Sequence, residues 1–194
     1  TPNQMTTITV IFAFAGAGEA LPDAWQYVER FTVVHGEAPW YLGLRAYGRT
    51  EQGLWYDAAD LADAALELDP GNGNAAHALT HVHYETDAHG AGLRWLTDWI
   101  AGPGTTQRYL PHFQWHAALH ELAMGDAAAA ARRYTGSLAP PHSSDVRCLV
   151  DAGSLAWRAR LHPDWVTPPD PMPVLAEAGS LAYAPQTPFI AFHA

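Results

Sequence analysis

Residues 56–70 read YDAADLADAALELDP, and this stretch decides the fold. Ala58, Ala59, Ala62 and Ala65 recur at helical spacing, so one helix face carries small side chains that let a second helix approach closely. Pro70 cannot continue that helix. Before it, Ala38–Thr50 predicts a first helix and Glu51–Gly53 a break, so the segment is a helix hairpin spanning about 38–70. Alanines at the hairpin contact and a proline after the second helix are the tetratricopeptide pattern.

The pattern returns along the chain. Asn74–Asp87 predicts a first helix, Gly90 a break and Ala91–Ile100 a second helix. Leu110–Met124, Gly125 and Asp126–Ser137 repeat the arrangement. Gly53, Gly90 and Gly125 are 37 and 35 residues apart, close to a period of roughly 34. Ser143–Leu161 predicts the next first helix, the proline-rich run His162–Pro173 a loop, and Pro173–Tyr183 and Pro188–Ala194 further helix. The expected fold is therefore all-α, one domain over residues 1–194, with hairpins near 38–70, 74–100, 110–138 and 143–183. At the front, Ala24–Val34 predicts a helix started by Pro22-Asp23, and Ile8–Ala17 is a helix or a strand by periodicity alone.

Composition narrows the function classes. Of the 194 residues 48% are hydrophobic and 15% charged, the balance of a globular chain. The net charge is −10, every basic residue is arginine, and no basic run exists, so nucleic acid and anionic lipid are poor partners. Ile8–Ala17 is too short to span a bilayer and lacks a basic leader, so no membrane span or signal peptide is expected. Cys148 is the single cysteine, which excludes an internal disulfide and a thiolate cage; a cytoplasmic location is expected.

Seven of the eleven histidines lie between His77 and His120. His77 and His81 are four residues apart, as are His112 and His116, so each pair shares a helix face. His112 follows His77 by 35 residues and His116 follows His81 by 35, one repeat step for both. In a regular stack that register brings equivalent positions side by side on the concave surface. The next step of 35 reaches Arg147 and Asp151. A row of His81, His116 and Asp151 is the candidate for catalysis, because a carboxylate fixes an imidazole's tautomer and raises its basicity. His77, His112, Trp115 and Arg147 are the candidate ligand-binding residues. Three readings stay open: hydrogen-bonded packing histidines, half of a metal ligand set, and acid–base chemistry with no marked nucleophile. No complete metal ligand set is present and no cofactor is assigned.

Smaller features take plainer readings. His120-Glu121 continues the His112 face without a second histidine to complete a zinc-protease signature. His83 and His89 are expected at solvent or at the hairpin turn. Trp95, Trp99, Trp115 and Trp157 read first as core, and Cys148 as inert. Gly16-Ala-Gly18 lacks the third glycine of a nucleotide loop.

The words YGRTEQGLWYDAADLADAALELDP, HALTHVHYE, HFQWHAALHELAMGD and DAGSLAWR resemble the tetratricopeptide repeat protein 38 family. That family has a histidine pair in each of the two middle words; it tends to an acidic residue where this chain has Tyr84. PFIAFHA resembles a later family helix that carries a histidine, which implies that His193 belongs to the same inner face as a ligand-binding residue. The resemblance covers about Ala38 to Ala194 and implies a right-handed superhelix, with no general reaction attached. Family members are longer, so the chain is expected to be a fragment or short relative. Further repeats or a second copy should then cover the ends near Phe12 and Phe192. The function expected first is a binding module whose concave groove holds a small molecule or peptide. The alternative is an enzyme using His77, His81, His112, His116 and Asp151 for acid–base or metal-assisted chemistry.

Overall fold

A computed structural model describes residues 21–140, 142 and 146–181. Every regular element among them is helical, as the alanine periodicity requires. The readings placed on Ile8–Ala17, Gly16–Gly18 and Pro188–Ala194 lie outside the described residues. The chain divides into two compact units: residues up to 88 with 101–107, and residues 89–100 with those from 108 onward.

In the first unit, α1 (Leu21–Glu29), α2 (Thr32–His35), α3 (Pro39–Glu51), α4 (Trp55–Leu68) and α5 (Gly73–Glu85) follow in order. α3, α4 and α5 pack on one another. Ala58, Ala62 and Ala65 are wholly buried at this contact, where larger side chains would hold the helices apart. Asn72 fastens the group: its Oδ1 caps α5 by accepting from Ala75 N at 3.1 Å, and its Nδ2 donates to Pro39 O at 2.9 Å. Gly43 leaves room for it, since a Cβ there would stand 2.5 Å from Asn72 Oδ1. The short 3₁₀ turn Pro103–Thr106 belongs to this unit because Gln107 Nε2 donates to Gly71 O at 2.6 Å.

The turns correct one expectation. α3 ends with Gly53 at φ 70°, and Leu54 N donates back to Arg49 O at 2.9 Å. α5 ends the same way with Asp87 at φ 58° and Ala88 N on His83 O at 2.9 Å. This is the Schellman ending, in which a residue in the left-handed region turns the chain and the next N–H closes on the carbonyl five back. Gly90 is therefore not the break; it lies in the first turn of the next helix. Aspartate is among the few side chains that tolerate the left-handed region.

Ala24–Val34 is also not one helix. α1 stops at Glu29 because its last carbonyls find other donors: Tyr41 Oη donates to Val28 O at 2.6 Å and Thr32 Oγ1 to Glu29 O at 2.8 Å. Trp25, Val28, Tyr41 and Leu44 form the small core that seats α1 on α3.

The second unit contains α6 (His89–Ala101), α7 (Leu110–Ala123), α8 (Ala127–Arg133), α9 (Val146–Leu161) and α10 (Met172–Leu181). α7 ends at Gly125, φ 81°, with Asp126 N on Glu121 O at 2.8 Å, repeating the turn chemistry of the first unit. Asp126 then caps α8 by accepting from Ala129 N at 2.9 Å. The helix predicted over Asp126–Ser137 keeps α geometry only to Arg133. A π turn, Tyr134–Leu138, completes it and buries both Tyr134 and Leu138. α7, α8 and α9 meet around Ala118, Ala130, Ala152, Leu155 and Ala156, and Trp165 anchors the proline-rich connection on the same core. α6 meets α7 through Trp99 against Phe113, ring centres 4.7 Å apart. Trp157, read as core, is 62% exposed on α9. No helix among the described residues is long and apolar enough to cross a membrane.

Candidate histidine and carboxylate site

Helical spacing of four places His112 and His116 on one face of α7, and their rings meet edge to face at 4.6 Å between centres. Nε2 of His116 lies 3.1 Å from Nε2 of His112. On the other edge of His112, Nδ1 lies 2.8 Å from Asp151 Oδ2 on α9. The result is a hydrogen-bonded chain of carboxylate, imidazole and imidazole. Asp151 is held in place by its neighbours in sequence: Ala152, Leu155 and Ala156 bury the adjoining face of α9 against α7. Asp151 and His116 are buried, whereas His112 keeps 31% of its side-chain surface exposed. His112, the middle member, is therefore the accessible one.

For the expected row of His81, His116 and Asp151, the carboxylate's described bond goes to His112, and that ring in turn meets His116. Helical side chains lean toward their own N-terminus, so the His116 ring rests back on the turn that carries His112. The short aspartate then reaches the nearer imidazole.

Proton placement follows from the geometry. Asp151 accepts the Nδ1–H of His112, which leaves a lone pair on His112 Nε2. Two Nε2 atoms 3.1 Å apart cannot both carry hydrogen, and two bare lone pairs would repel. A single hydrogen therefore lies between them: the Nε2–H of His116 donates to the bare Nε2 of His112.

The surroundings add an aromatic wall. Trp115 stacks on His112 with ring centres 5.6 Å apart and planes 17° apart, and its buried Nε1 has no acceptor among the described residues. The Arg158 guanidinium lies over the Trp115 ring at 5.9 Å. Arg147 lies in α9 one turn before Asp151. His193 lies outside the described residues.

In the first unit, His77 and His81 on α5 repeat the internal geometry of the α7 pair: ring centres 4.6 Å apart and Nε2 atoms 3.1 Å apart. Tyr47 stacks on His77 at 5.6 Å, and burial, with Glu51 adding repulsion, pushes its phenol well above the usual range. His83, expected at solvent or at the turn, is half-buried on α5. That burial lowers its imidazole, with Asp63 opposing.

Two contacts went unread in the sequence. His89 stands half-buried at the start of α6, beside the hairpin turn that was one of its two expected places, and its Nδ1 lies 3.3 Å from Nδ1 of His120, which is fully buried. Glu121 is no fragment of a protease signature: Arg133 clamps it, with a closest contact of 2.6 Å, and also donates to Gln114. The continuation of the His112 face through His120 and the paired arginines ending α8 were the only signals for these.

A scan of this chain against models of known protein families found no match.

Proposed function

We propose that this chain is a tetratricopeptide-like right-handed stack of helix hairpins that holds a small molecule, or the end of a peptide, at His112. The observation that carries the reading is the chain from Asp151 through His112 to His116, with one accessible imidazole backed by two buried polar groups. A buried network whose only exposed member is a tautomer-fixed imidazole suits recognition better than packing does, because packing alone is served as well by apolar residues. The recurring Schellman turns at Gly53, Asp87 and Gly125 support the repeat reading. The indole face of Trp115 and the cation of Arg158 favour a ligand with a flat part and an acceptor or carboxylate.

The test is ligand-observed NMR with a panel of small aromatic and aliphatic carboxylates on the full chain. Binding by members of the panel, lost in His112→Gln with the helical circular dichroism intact, supports the reading. Binding that ignores this substitution, or none at all, removes it.

The 2.8 Å contact of Asp151 with His112 favours a second reading, acid–base catalysis, since an orienting carboxylate is what such an imidazole needs. Turnover of an ester panel that falls by about 10²–10⁴ in His112→Gln would shift the choice to it.

A further inference from the structure

We infer that His112 and His116 chelate one zinc-like divalent cation, with Asp151 orienting the ligating ring from behind. Tetrahedral zinc binds imidazole nitrogen at about 2.0–2.1 Å, which sets two such ligands roughly 3.3 Å apart. The two Nε2 atoms stand 3.1 Å apart, so a small rotation of each ring opens the bite without moving the backbone. Asp151 holds the Nδ1–H of His112 at 2.8 Å, which fixes the tautomer whose Nε2 lone pair can bind metal. Carboxylate–histidine–metal relays of this kind raise ligand basicity and fix ring orientation. The spacing is built into the repeat, since His77 and His81 hold their Nε2 atoms at the same 3.1 Å. Imidazole nitrogen without thiolate suits zinc, copper or nickel rather than calcium or magnesium. The positions of the tetrahedron that His112 and His116 do not fill would take other donors, and the exposed edge of His112 supplies the approach for one from a ligand. A ligand carboxylate would then bind the metal directly, so the inference rests on the reading of this cluster as a ligand site and names the cofactor through which it works.

The experiment is a titration of chelator-treated full chain with Co²⁺, followed by displacement with Zn²⁺. The expected result is a visible d–d band of tetrahedral intensity that Zn²⁺ removes, together with a Zn²⁺-dependent rise in Tm. His112→Gln and His116→Gln should each weaken binding more than tenfold, and Asp151→Asn by about 10–100-fold. Reading the metal-dependent rise in Tm, rather than Tm itself, keeps the test valid if a variant is less stable. An absent band, or a Zn²⁺ response unchanged in His112→Gln and His116→Gln, overturns the inference. Repeating the carboxylate panel in chelator separates the two levels. Binding that persists there and depends on His112 sinks the metal alone, whereas silence in both sinks the site as well.

Discussion

His83 shows how a single residue reports the burial that helix packing imposes. Burial lowers its imidazole below the ordinary histidine value, and Asp63 pulls the other way. The folded chain therefore binds fewer protons than the unfolded chain just below about pH 6.5, the unperturbed value. The stability from this group is present above that pH and is lost as pH falls toward the lowered folded value. NMR titration of His83 should give a midpoint below 6.5, and Asp63→Asn should lower it further by removing the opposing charge. A midpoint at or above the ordinary value would show that the ring is solvated. The same scale sets what was legible at the site. The spacing of four told that His112 and His116 share a face, and the repeat step pointed to Asp151. Which imidazole the carboxylate takes depends on the tilt of each side chain and the reach of a short aspartate, and spacing carries neither.

At the scale of elements, Asn72 is the device that joins α3 to α5, with one side-chain bond to each. Asn72→Ala should cost about 1–2 kcal/mol in chemical denaturation, a lost cap plus an abandoned carbonyl. Gly43→Ala should destabilise as well, because its Cβ would stand 2.5 Å from Asn72 Oδ1 and 3.2 Å from Ala75 N. Part of the clash is with Asn72 itself, so the double variant should lose less than the sum of the two single losses. Strict additivity would show that the two residues do not share a contact. On α4, Ala62→Phe should cost roughly 1–3 kcal/mol through overpacking, and an unchanged denaturation midpoint would refute the alanine contact. Helix existence was readable because alanine periodicity and proline stops are local signals. The ends were harder. The break at Asp87 lies 34 residues after Gly53, where a period of roughly 34 would put a turn, but an aspartate in the left-handed region does not announce itself as glycine does. The early stop of α1 depends on Tyr41, 13 residues away from the carbonyl it binds, and no local pattern encodes that contact.

For the molecule as a whole, charge imbalance is the property that no single contact expresses. The chain has 20 acidic residues and 10 arginines, so pairing each arginine with one carboxylate still leaves ten carboxylates over (20 − 10). Arg45 and Arg49 both spend their charge on Glu29, and Arg133 spends its own on Glu121, which leaves still fewer for the rest. Added salt weakens the two half-buried pairs on Glu29 only in part. The Glu121 pair is buried and is screened far less. Against that small loss stands the repulsion among the remaining carboxylates, which opposes the compact state and is screened over about 10 Å at 0.1 M salt. Relief of repulsion should therefore exceed the loss of pairs. Raising NaCl from about 10 mM to 150 mM at pH 7 should lift Tm by roughly 2–4 °C, the shift that about 1 kcal/mol produces in a chain of this size. Most of the gain should arrive by 150 mM, and NaCl and KCl should act alike, because screening depends on ionic strength rather than on the identity of the ion. A Tm that falls with salt would mean that the arginine pairs dominate the electrostatics, and the expectation from net charge would be overturned.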